Sequence, residues 1–400
     1  MRLRTLESFW LLKNGLLYSY PSLQENTFSE VVVIGGGITG ALVSHALVEK
    51  GYQVLLLDKR DIGQGSSSAT TSMLQYEIDV PLHELAEMIG ETEAVECYRA
   101  GIHAIEELRQ LIALHGLDCG FKSQKSLFIA HSKKAEKMLY REYLMRAKYN
   151  LGVEWLDKDE VEKKYGLKSF GAILSAHAAS VDAYKLAHEL IQLNVKRGMR
   201  VFDQTNIDRF ELNSDSPSIH ISDDVVVNCS KVIFCTGFES LSMLSEQIAK
   251  LFYTYAVVSE TGIAISHDLQ DTLVWDTDQP YIYMRSTEDG RLLVGGEDSS
   301  SRLSLFQQTV KDHKGRKLMK KLENILPGVK YIPDFMWGGI FGTTKDGLPY
   351  IGASPEHKNS LFVLGFGGNG ITFSVQAMDI VTKMLEGETH PLAKHYAFGR

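Results

Sequence analysis

Cysteines, basic charge and long hydrophobic runs are all scarce in this sequence. The four cysteines (Cys97, Cys119, Cys229 and Cys235) show no CxxC spacing, and a secreted disulfide framework would be denser. We therefore expect reduced and mostly buried thiols. The formal net charge is −8, so no basic surplus is present to neutralise phosphates, which argues against a protein that acts on DNA or RNA.

The chain also lacks the roughly 18 uninterrupted apolar residues that spanning a bilayer requires. Near the start, Glu7, Lys13 and Asn14 interrupt the apolar stretch, and no small-residue cleavage site follows. We expect residues 1–28 to form an N-terminal arm that packs on the body of the protein, with a membrane-surface contact as the alternative. Its packing residues would be Phe9, Trp10, Leu16 and Leu17. A cytoplasmic location is expected.

What the chain does contain is an ordered glycine unit. Residues 31–34 are all apolar and β-branched, as is typical of a strand buried on both faces of a parallel sheet. Gly35, Gly37 and Gly40 follow at GxGxxG spacing, which suits a tight turn, close backbone approach to a ligand and close helix-to-strand packing. A helix and a second strand then lead to Asp58, where a carboxylate accepts hydrogen bonds from a ribose. The unit predicts a dinucleotide site.

This unit alone does not distinguish FAD from NAD, but its continuation favours FAD. A hydroxyl-rich loop occupies residues 66–72, with the sequence SSSATTS, where an NAD domain would normally continue into another helix. Small hydroxyl side chains suit a segment that lies along a pyrophosphate, a ribitol and a ring edge. A flexible serine linker is the alternative.

Three further motifs complete a family pattern. They are FCTG at 234–237, TKDGLPYIG at 344–352 and GFGGNGI at 365–371. With the glycine unit and the hydroxyl loop, the chain resembles the D-amino-acid-oxidase-like superfamily of FAD-dependent amine oxidoreductases, which includes glycine oxidase, sarcosine oxidase and gamma-glutamylputrescine oxidase. The resemblance covers roughly residues 29–390 and is more specific for the superfamily than for the substrate.

The resemblance implies an α/β fold with two domains, which the length of 400 residues also favours. One is a Rossmann-like FAD-binding domain with a parallel sheet, and the other is an inserted α+β substrate domain with a mixed or antiparallel sheet. Residues 281–298 alternate, turn at Asp289-Gly290 and alternate again, which predicts an antiparallel hairpin. We expect the FAD-binding domain at 29–110, 178–248 and 336–390, and the substrate domain at 111–177 and 249–335.

The resemblance also implies which residues contact FAD. Gly35 to Gly40 and Asp58 would hold the ADP half, and the backbone of Ile207 would meet the adenine. The helix after GFGGNGI would direct its N-terminus, with donors from Asn369 and Gly370, at the N1–C2=O edge of the flavin. A helix N-terminus carries roughly half a positive charge and stabilises the anionic reduced ring. The full set of expected contacts is Gly35, Gly37, Ile38, Gly40, Asp58, Lys59, Ser67, Ser68, Thr71, Ser72, Met73, Ile207, Gly237, Asp346, Gly367, Gly368, Asn369, Gly370 and Ile371.

The implied reaction is oxidation of a C–N bond. A hydride passes from the α-carbon of a neutral amine to flavin N5, and the imine is then hydrolysed. This requires a dry, shaped pocket more than acid–base groups, and no nucleophilic triad, metal-ligand cluster or carboxylate pair stands out in the sequence. His177 is expected to be structural. The electron acceptor would be O2, a quinone or an electron-transfer protein.

Departures from the family pattern bear on the substrate and the cofactor. The arginines with which glycine oxidase-like enzymes hold a substrate carboxylate correspond here to Phe341 and Gly368, so that bidentate clamp is absent. Arg285 would either replace it or lie on the hairpin surface. The cysteine that tethers flavin in monomeric sarcosine oxidase corresponds to Gly339, so we expect non-covalent FAD. The lysine that assists oxygen reaction aligns with Leu293, which leaves oxidase and dehydrogenase both open.

Aromatic side chains provide a different recognition surface. Tyr281, Tyr283 and Phe341 would form a pocket that receives an amine cation on its ring faces, with packing between domains as the alternative. The expected catalytic residues are Tyr281, Tyr283, Phe341, Gly368 and Asn369.

These residues favour an oxidase or dehydrogenase of the gamma-glutamylputrescine oxidase type, whose amine has no carboxylate near the reacting carbon. The alternatives are a D-amino acid or glycine oxidase or dehydrogenase, and a non-catalytic flavin-dependent binding or assembly protein. The oligomeric state does not follow from the sequence.

Overall fold

The computed structural model describes residues 3–5, 8–300, 308–364 and 366–400. The helices within these residues are α1 (Phe9–Asn14), α2 (Ile38–Glu49), α3 (Leu82–Ile89), α4 (Glu91–His115), α5 (Lys133–Lys148), α6 (Lys158–Tyr165), α7 (Ala183–Lys196), α8 (His267–Gln270), α9 (Gln308–Ile325), α10 (Gly370–Leu385) and α11 (Ala393–Tyr396). The strands are β1 (Thr27–Ile34), β2 (Val54–Leu57), β3 (Met73–Gln75), β4 (Lys122–Ile129), β5 (Val153–Leu156), β6 (Ala172–Ser180), β7 (Arg200–Phe202), β8 (Arg209–Glu211), β9 (Ser218–His220), β10 (Val226–Phe234), β11 (Lys250–Ser259), β12 (Thr272–Asp276), β13 (Ile282–Ser286), β14 (Leu292–Ser299), β15 (Pro333–Thr343), β16 (Tyr350–Gly352) and β17 (Ser360–Leu364).

The first sheet contains the predicted parallel strands, with antiparallel additions from β16, β9 and β8. Its strands lie in the order β16-β17-β10-β1-β2-β7, and β1 runs parallel to both β2 and β10. Val31 and Val33 of β1 face a core that includes α2, α7 and α10, whereas Val32 and Ile34 face a second core on the other side. Both faces of β1 are therefore covered, which explains its uninterrupted apolar run.

The second sheet is mixed, as predicted. Its strands lie in the order β15-β11-β14-β13-β12-β4-β6-β3, with β5 paired to β6. Strands β4 and β12 are parallel, and β13 and β14 form the antiparallel hairpin that the alternation predicts. Gly290, in the hairpin turn, has a φ of 74°, a backbone conformation that glycine adopts without strain.

The expected domain boundaries do not coincide with the division between the sheets. Strand β3 lies inside the segment 29–110 expected for the FAD-binding domain, yet it pairs with β6 of the second sheet. The boundary placed at residue 336 falls inside β15, and the boundary at 178 falls inside β6. The sheet that a short strand joins depends on a partner far away in sequence, so local patterns do not reveal it.

The N-terminal arm packs largely as expected. Residues 3–5 lie beside β15 and exchange main-chain hydrogen bonds with it, which covers part of an edge strand. Phe9 and Trp10 are buried, and Leu17 packs against their cluster. Leu16, by contrast, is 57% exposed, so its expected packing is wrong. Among the described residues, no helix combines the length and the apolar character that crossing a bilayer requires.

Candidate active site

A large cavity lies where the carboxyl ends of the parallel strands face the second sheet. Its volume is about 1360 Å³, above the range of roughly 300–1,000 Å³ typical of sites for drug-sized ligands. We call the part lined by Gly35 and Asp58 the glycine end, and the part lined by Tyr281, Tyr283 and Phe341 the tyrosine end. The cavity reaches the strand ends of β1 and β10, where open α/β sheets bind their ligands.

Two glycines at the glycine end have no room for a side chain. A Cβ at Gly35 would lie 2.5 Å from the carbonyl oxygen of Cys235, and the φ of Gly35 is 107°. A Cβ at Gly40 would lie 1.8 Å from the carbonyl oxygen of Gly35. Gly37 precedes α2 and lines the cavity. The helix N-terminus therefore meets the cavity with bare backbone, as anion binding requires.

Charged residues at the strand end beside these glycines are already paired. Asp58 accepts hydrogen bonds from the main-chain N–H groups of Gly36 at 2.7 Å and Arg60 at 2.8 Å, and burial raises its pKa. Lys59 and Arg60 both bond to Glu239, at 2.9 and 3.0 Å. Burial acts to raise the pKa of Glu239, but hydrogen bonds from Arg60 and Lys59 are among the stronger effects that lower it to about 2. Lys59 lines the cavity, and Glu239 balances its charge.

The hydroxyl loop follows the glycine end. Ser67 accepts a hydrogen bond from the main-chain N–H of Ile38 at 2.9 Å, and both residues line the cavity. Ser68 and Ser72 are buried outside the cavity lining, and the Ser68 hydroxyl donates to the carbonyl of Gly65. The expected loop contacts that do line the cavity are Ser67, Thr71 and Met73.

The start of α10 faces the same cavity. The side-chain amide of Asn369 donates to the carbonyls of Gln75 at 3.0 Å and Glu77 at 2.8 Å, so it ties the helix to the end of β3 instead of offering a donor to a ligand. The first N–H groups of a helix have no partner inside the helix, and Gly370 and Ile371 both line the cavity. The Asn369 amide is therefore already engaged, whereas the main chain of Gly370 and Ile371 faces the cavity.

Most of the remaining expected cofactor contacts also line the cavity, namely Ile207, Gly237, Gly367 and Gly368. Asp346 does not. It pairs with Arg400, with Nε 2.9 Å from Oδ2, and accepts the main-chain N–H of Leu348 at 3.1 Å. Its role in this structure is to hold a turn and the chain's C-terminal residues. Gly339 lines the cavity and has no thiol, in line with the expected non-covalent cofactor.

Aromatic rings form the tyrosine end. The ring centroids of Tyr281 and Tyr283 are 5.7 Å apart, as are those of Phe341 and Phe252. A Cβ at Gly295 would lie 2.4 Å from the Tyr283 ring, so this glycine makes room for the aromatic wall. Burial raises the pKa of Tyr283 to about 12, which keeps its hydroxyl protonated.

Three other residues of interest lie outside the cavity lining. Arg285 is buried, donates from Nε to the carbonyl of Thr71 at 2.7 Å and lies 5.4 Å from the Trp10 ring centroid. Burial lowers its pKa to about 10. It is neither a surface residue nor a substrate clamp in this cavity, and it supports the hydroxyl loop. Leu293 packs in the apolar cluster of Trp10. His177 is partly buried, which lowers its pKa.

Among the carboxylates on the cavity wall that sequence analysis missed are Asp79 and Asp298. Asp79 accepts the main-chain N–H of Gly368 at 2.9 Å, and burial raises its pKa although part of its surface is open to the cavity. Asp298 also lines the cavity, and burial raises its pKa to about 6. The signal was faint: each is an acidic residue beside an apolar or glycine-rich stretch. Both aspartates lie outside the set of site residues that the sequence predicts.

A metal-type cluster, also not expected, lies apart from the cavity. One ligand atom from each of His45, Glu49 and His115 falls within 4.8 Å of the others. His45 Nδ1 is 3.0 Å from the Asn194 side-chain oxygen, and Glu49 pairs with Arg197. Existing partners therefore engage two of its three members. The four cysteines are free and buried, as expected.

Comparison with known proteins identifies the family. Residues 30–384 match the DAO family, described as FAD dependent oxidoreductase. The chain belongs to this family. It is 24% identical over 389 residues to gamma-glutamylputrescine oxidoreductase of Escherichia coli (strain K12), covering 92% of this chain and 86% of the relative. It is 24% identical over 394 residues to a putative Rieske 2Fe-2S iron-sulfur protein of Bacillus subtilis (strain 168), covering 96% of this chain and 74% of the relative.

A solved structure shows the same fold. Glycine oxidase from Geobacillus kaustophilus matches with a TM-score of 0.77 at 21% identity, covering 93% of this chain and 99% of that chain. The DAO family uses FAD, and the protein is an FAD-dependent oxidoreductase acting on amines or amino acids.

The cavity residues fit FAD. Gly35 and Gly37 present bare backbone at one end, Asp58 offers a carboxylate beside them, and Gly370 and Ile371 offer N–H groups elsewhere on the wall. When bound, FAD supplies an acceptor for two electrons and a hydride. The chain holds it, orients the amine and excludes water.

Proposed function

We propose that this DAO-family enzyme oxidises a C–N bond of an amine with no carboxylate beside the reacting carbon, as a gamma-glutamylputrescine oxidase does. The observation that carries the proposal is the charge of the cavity wall. Among its described residues, the Lys and Arg side chains are Lys59, Arg60 and Lys250. The first two pair with Glu239 at the glycine end, and Lys250 is exposed at the start of β11. No described arginine lines the tyrosine end.

The tyrosine end favours an amine as the group that is bound. A cation is attracted to the faces of aromatic rings, here Tyr281, Tyr283 and Phe341. The α-carbon then gives up a hydride, the nitrogen gives up a proton, and water adds to the imine to release a carbonyl compound and, from a primary amine, ammonia. The wall's task is to align the C–H bond and keep water away during the transfer.

Anaerobic mixing of the purified holoenzyme with amines tests the proposal. One panel contains primary amines and diamines, and the other contains glycine and D-amino acids. We expect the amines to bleach the flavin absorbance and the amino acids to do so poorly or not at all. Bleaching by D-amino acids alone would show the proposal to be wrong.

Readmission of air, a soluble quinone or an iron–sulfur protein then identifies the electron acceptor. The Bacillus subtilis relative is described as an iron–sulfur protein, which supports including such an acceptor beside O2. Rapid return of the yellow colour in air would indicate an oxidase, and return only with another acceptor would indicate a dehydrogenase.

A further inference from the structure

We propose that Asp79 and Asp298 form a cation-binding subsite at the tyrosine end, and that the substrate is a diamine or polyamine whose second ammonium group binds there. This inference rests on the proposed function, because it concerns the substrate of the same cavity. Neither carboxylate belongs to the residues that hold FAD or to those that sequence analysis selected.

Two glycines in the segment just before α10 determine the position of the Asp79 side chain. Its Oδ2 accepts the Gly368 N–H at 2.9 Å. A Cβ would lie 2.8 Å from Asp79 Oδ1 if added at Gly368, and 2.2 Å from Asp79 Oδ2 if added at Gly367. A longer side chain at either position would displace the carboxylate. The absence of side chains at 367 and 368 therefore makes room for a negative charge on the wall.

Burial raises the pKa of Asp298 and the neighbouring Thr254 hydroxyl lowers it, but the two side chains do not meet at hydrogen-bond geometry. Asp298 Oδ1 is buried and has no hydrogen-bond partner among the described residues, and the same is true of the hydroxyl of Thr254. Glu77, 4% exposed and also on the wall, has an unpartnered Oε2 as well. Buried polar atoms of native proteins are nearly always hydrogen-bonded. A ligand with several N–H donors would satisfy these atoms.

The two aspartates act on one region of the cavity. Both carboxylates add to the effect of burial in raising the pKa of Tyr281, so both lie within electrostatic range of its hydroxyl. At Asp298 itself, the charge of Asp79 adds to the effect of burial in raising the pKa. The tyrosine rings, the two carboxylates and Thr254 thus surround a common space.

Nearby cations do not cancel this charge. Lys314 faces Asp298, but its ammonium donates to the carbonyl of Glu297 at 2.8 Å and lies 3.3 Å from the Glu297 carboxylate. Lys250 is four residues from Thr254 along β11, roughly 13 Å at the rise of a strand. Arg146 Nη1 lies 3.5 Å from Oε1 of Glu77, not from the unpartnered Oε2. The wall beside Asp79 and Asp298 is therefore anionic.

The reaction itself separates the two nitrogens of the substrate. The reacting nitrogen must be neutral before the α-carbon gives up a hydride, whereas a carboxylate stabilises the protonated form of an amine. Two carboxylates therefore suit a second nitrogen that remains charged. An amine with an ammonium group several carbons away meets both requirements, and an amine with a carboxylate there is repelled.

Three amines of matched length test the proposal: 1,4-diaminobutane, butylamine and 4-aminobutanoate. In anaerobic reduction of the holoenzyme, the diamine should half-saturate at a concentration about tenfold lower than butylamine, and 4-aminobutanoate should be the poorest. Asp79→Asn and Asp298→Asn should each raise the diamine value about tenfold and change the butylamine value less than twofold. Asp224→Asn, an exposed residue outside the cavity lining, is the matched control.

A binding measurement separates this proposal from the proposed function. Tetramethylammonium has no removable N–H proton, so calorimetry with the holoenzyme reports cation binding alone. We expect binding to the native protein that weakens in both cavity variants and is unchanged in the control. FAD content and circular dichroism verify folding.

The outcomes are distinct. The cation subsite is overturned if all three amines reduce the flavin with equal half-saturating concentrations. It is also overturned if neither variant changes the half-saturating concentration of the diamine. Either result leaves the proposed function standing. If no amine reduces the flavin, the proposed function fails. Aspartate-dependent binding of tetramethylammonium would still support the subsite, and absence of aspartate-dependent binding of both tetramethylammonium and 1,4-diaminobutane, which has N–H donors, would overturn it.

Discussion

At the scale of single residues, some buried side chains line the cavity and others support its wall. Arg285 shows why a residue type alone does not reveal its role. It is an arginine on a strand beside the active site, yet its guanidinium bonds the carbonyl of Thr71 and lies over Trp10. We infer that it positions the hydroxyl loop.

Replacement of Arg285 by lysine tests this role. Arg285→Lys keeps the charge but loses the planar donor set, so the loop should loosen and the dissociation constant of FAD should rise about tenfold. The half-saturating amine concentration should stay within twofold once the variant is loaded with FAD. Titration of the apoprotein with FAD provides the measurement.

The exposed Arg316→Lys serves as the control. Unchanged FAD affinity together with selective loss of carboxylate-bearing substrates would contradict the positioning role and identify Arg285 as a clamp.

The pH dependence of cation binding is a second prediction at this scale. Burial raises the pKa of Asp298 to about 6, so its carboxylate is charged above that pH and neutral below it. Charged groups around it are Asp79, Glu297 and Lys314, beside the neutral tyrosines. The dissociation constant of tetramethylammonium should therefore rise about tenfold between pH 7 and pH 5.

The same titration on Asp298→Asn provides the comparison, because that variant has no carboxyl group to titrate at this position. Its pH slope should be clearly smaller, with Asp79 responsible for what remains. Identical slopes in the two proteins would rule out Asp298 as the titrating group.

At the scale of elements, the two helix N-termini on the cavity are held by different means. Helix α2 is held by close backbone packing, since Gly40 has no space for a side chain. Helix α10 is held by side chains: Asn369 donates to the carbonyls of Gln75, the last residue of β3, and Glu77, and Thr372 donates to that of Gln75 at 3.2 Å. Because β3 belongs to the second sheet, α10 is connected to both sheets.

Removal of these hydrogen bonds should lower the free energy of unfolding in proportion to the number of bonds lost. Asn369→Ala removes two hydrogen bonds and should lower the free energy of unfolding by about 2 kcal/mol, whereas Thr372→Ala removes one and should lower it by about 1 kcal/mol. Denaturant unfolding of the holoenzyme measures both values. Equal effects of the two variants would show that the amide of Asn369 does not connect the helix to the second sheet.

At the scale of the whole molecule, the N-terminal arm reaches both the second sheet and the cavity loop. Residues 3–5 pair with β15, and the indole N–H of Trp10 donates to the carbonyl of Thr70 at 2.6 Å. The cluster of Phe9 and Trp10 also contains Trp337 of β15. The arm is therefore an integral part of the fold.

Truncation of Trp10 should destabilise the whole protein. Trp10→Ala removes a large, 2% exposed side chain and should lower the free energy of unfolding by about 3–5 kcal/mol. Leu12→Ala, on the same helix but 50% exposed, should change it by less than about 0.5 kcal/mol. Thermal unfolding with and without FAD compares them. Equal melting temperatures for the two variants would show that the arm does not contribute to stability.

Much of the fold was predictable because residues close together in sequence determine the local backbone conformation. The strand before Gly35, the GxGxxG unit, the hairpin turn at Gly290 and the helix after GFGGNGI each depend on residues close together in sequence. Neighbouring residues determine each of these features, whether it is a buried run of β-branched residues, a positive φ or an alternating pattern. The local sequence therefore reveals them.

The sequence by itself determined the parallel strands and the glycine unit at their ends, and the family resemblance indicated that Gly368 stands where other members have an arginine. Only the tertiary structure decided what replaced that charge. Asp79 meets Gly368 across more than half of the chain, Asp346 is engaged by Arg400, and Asn369 reaches back to Gln75. Such pairs depend on how two sheets meet, and no local pattern specifies the partner.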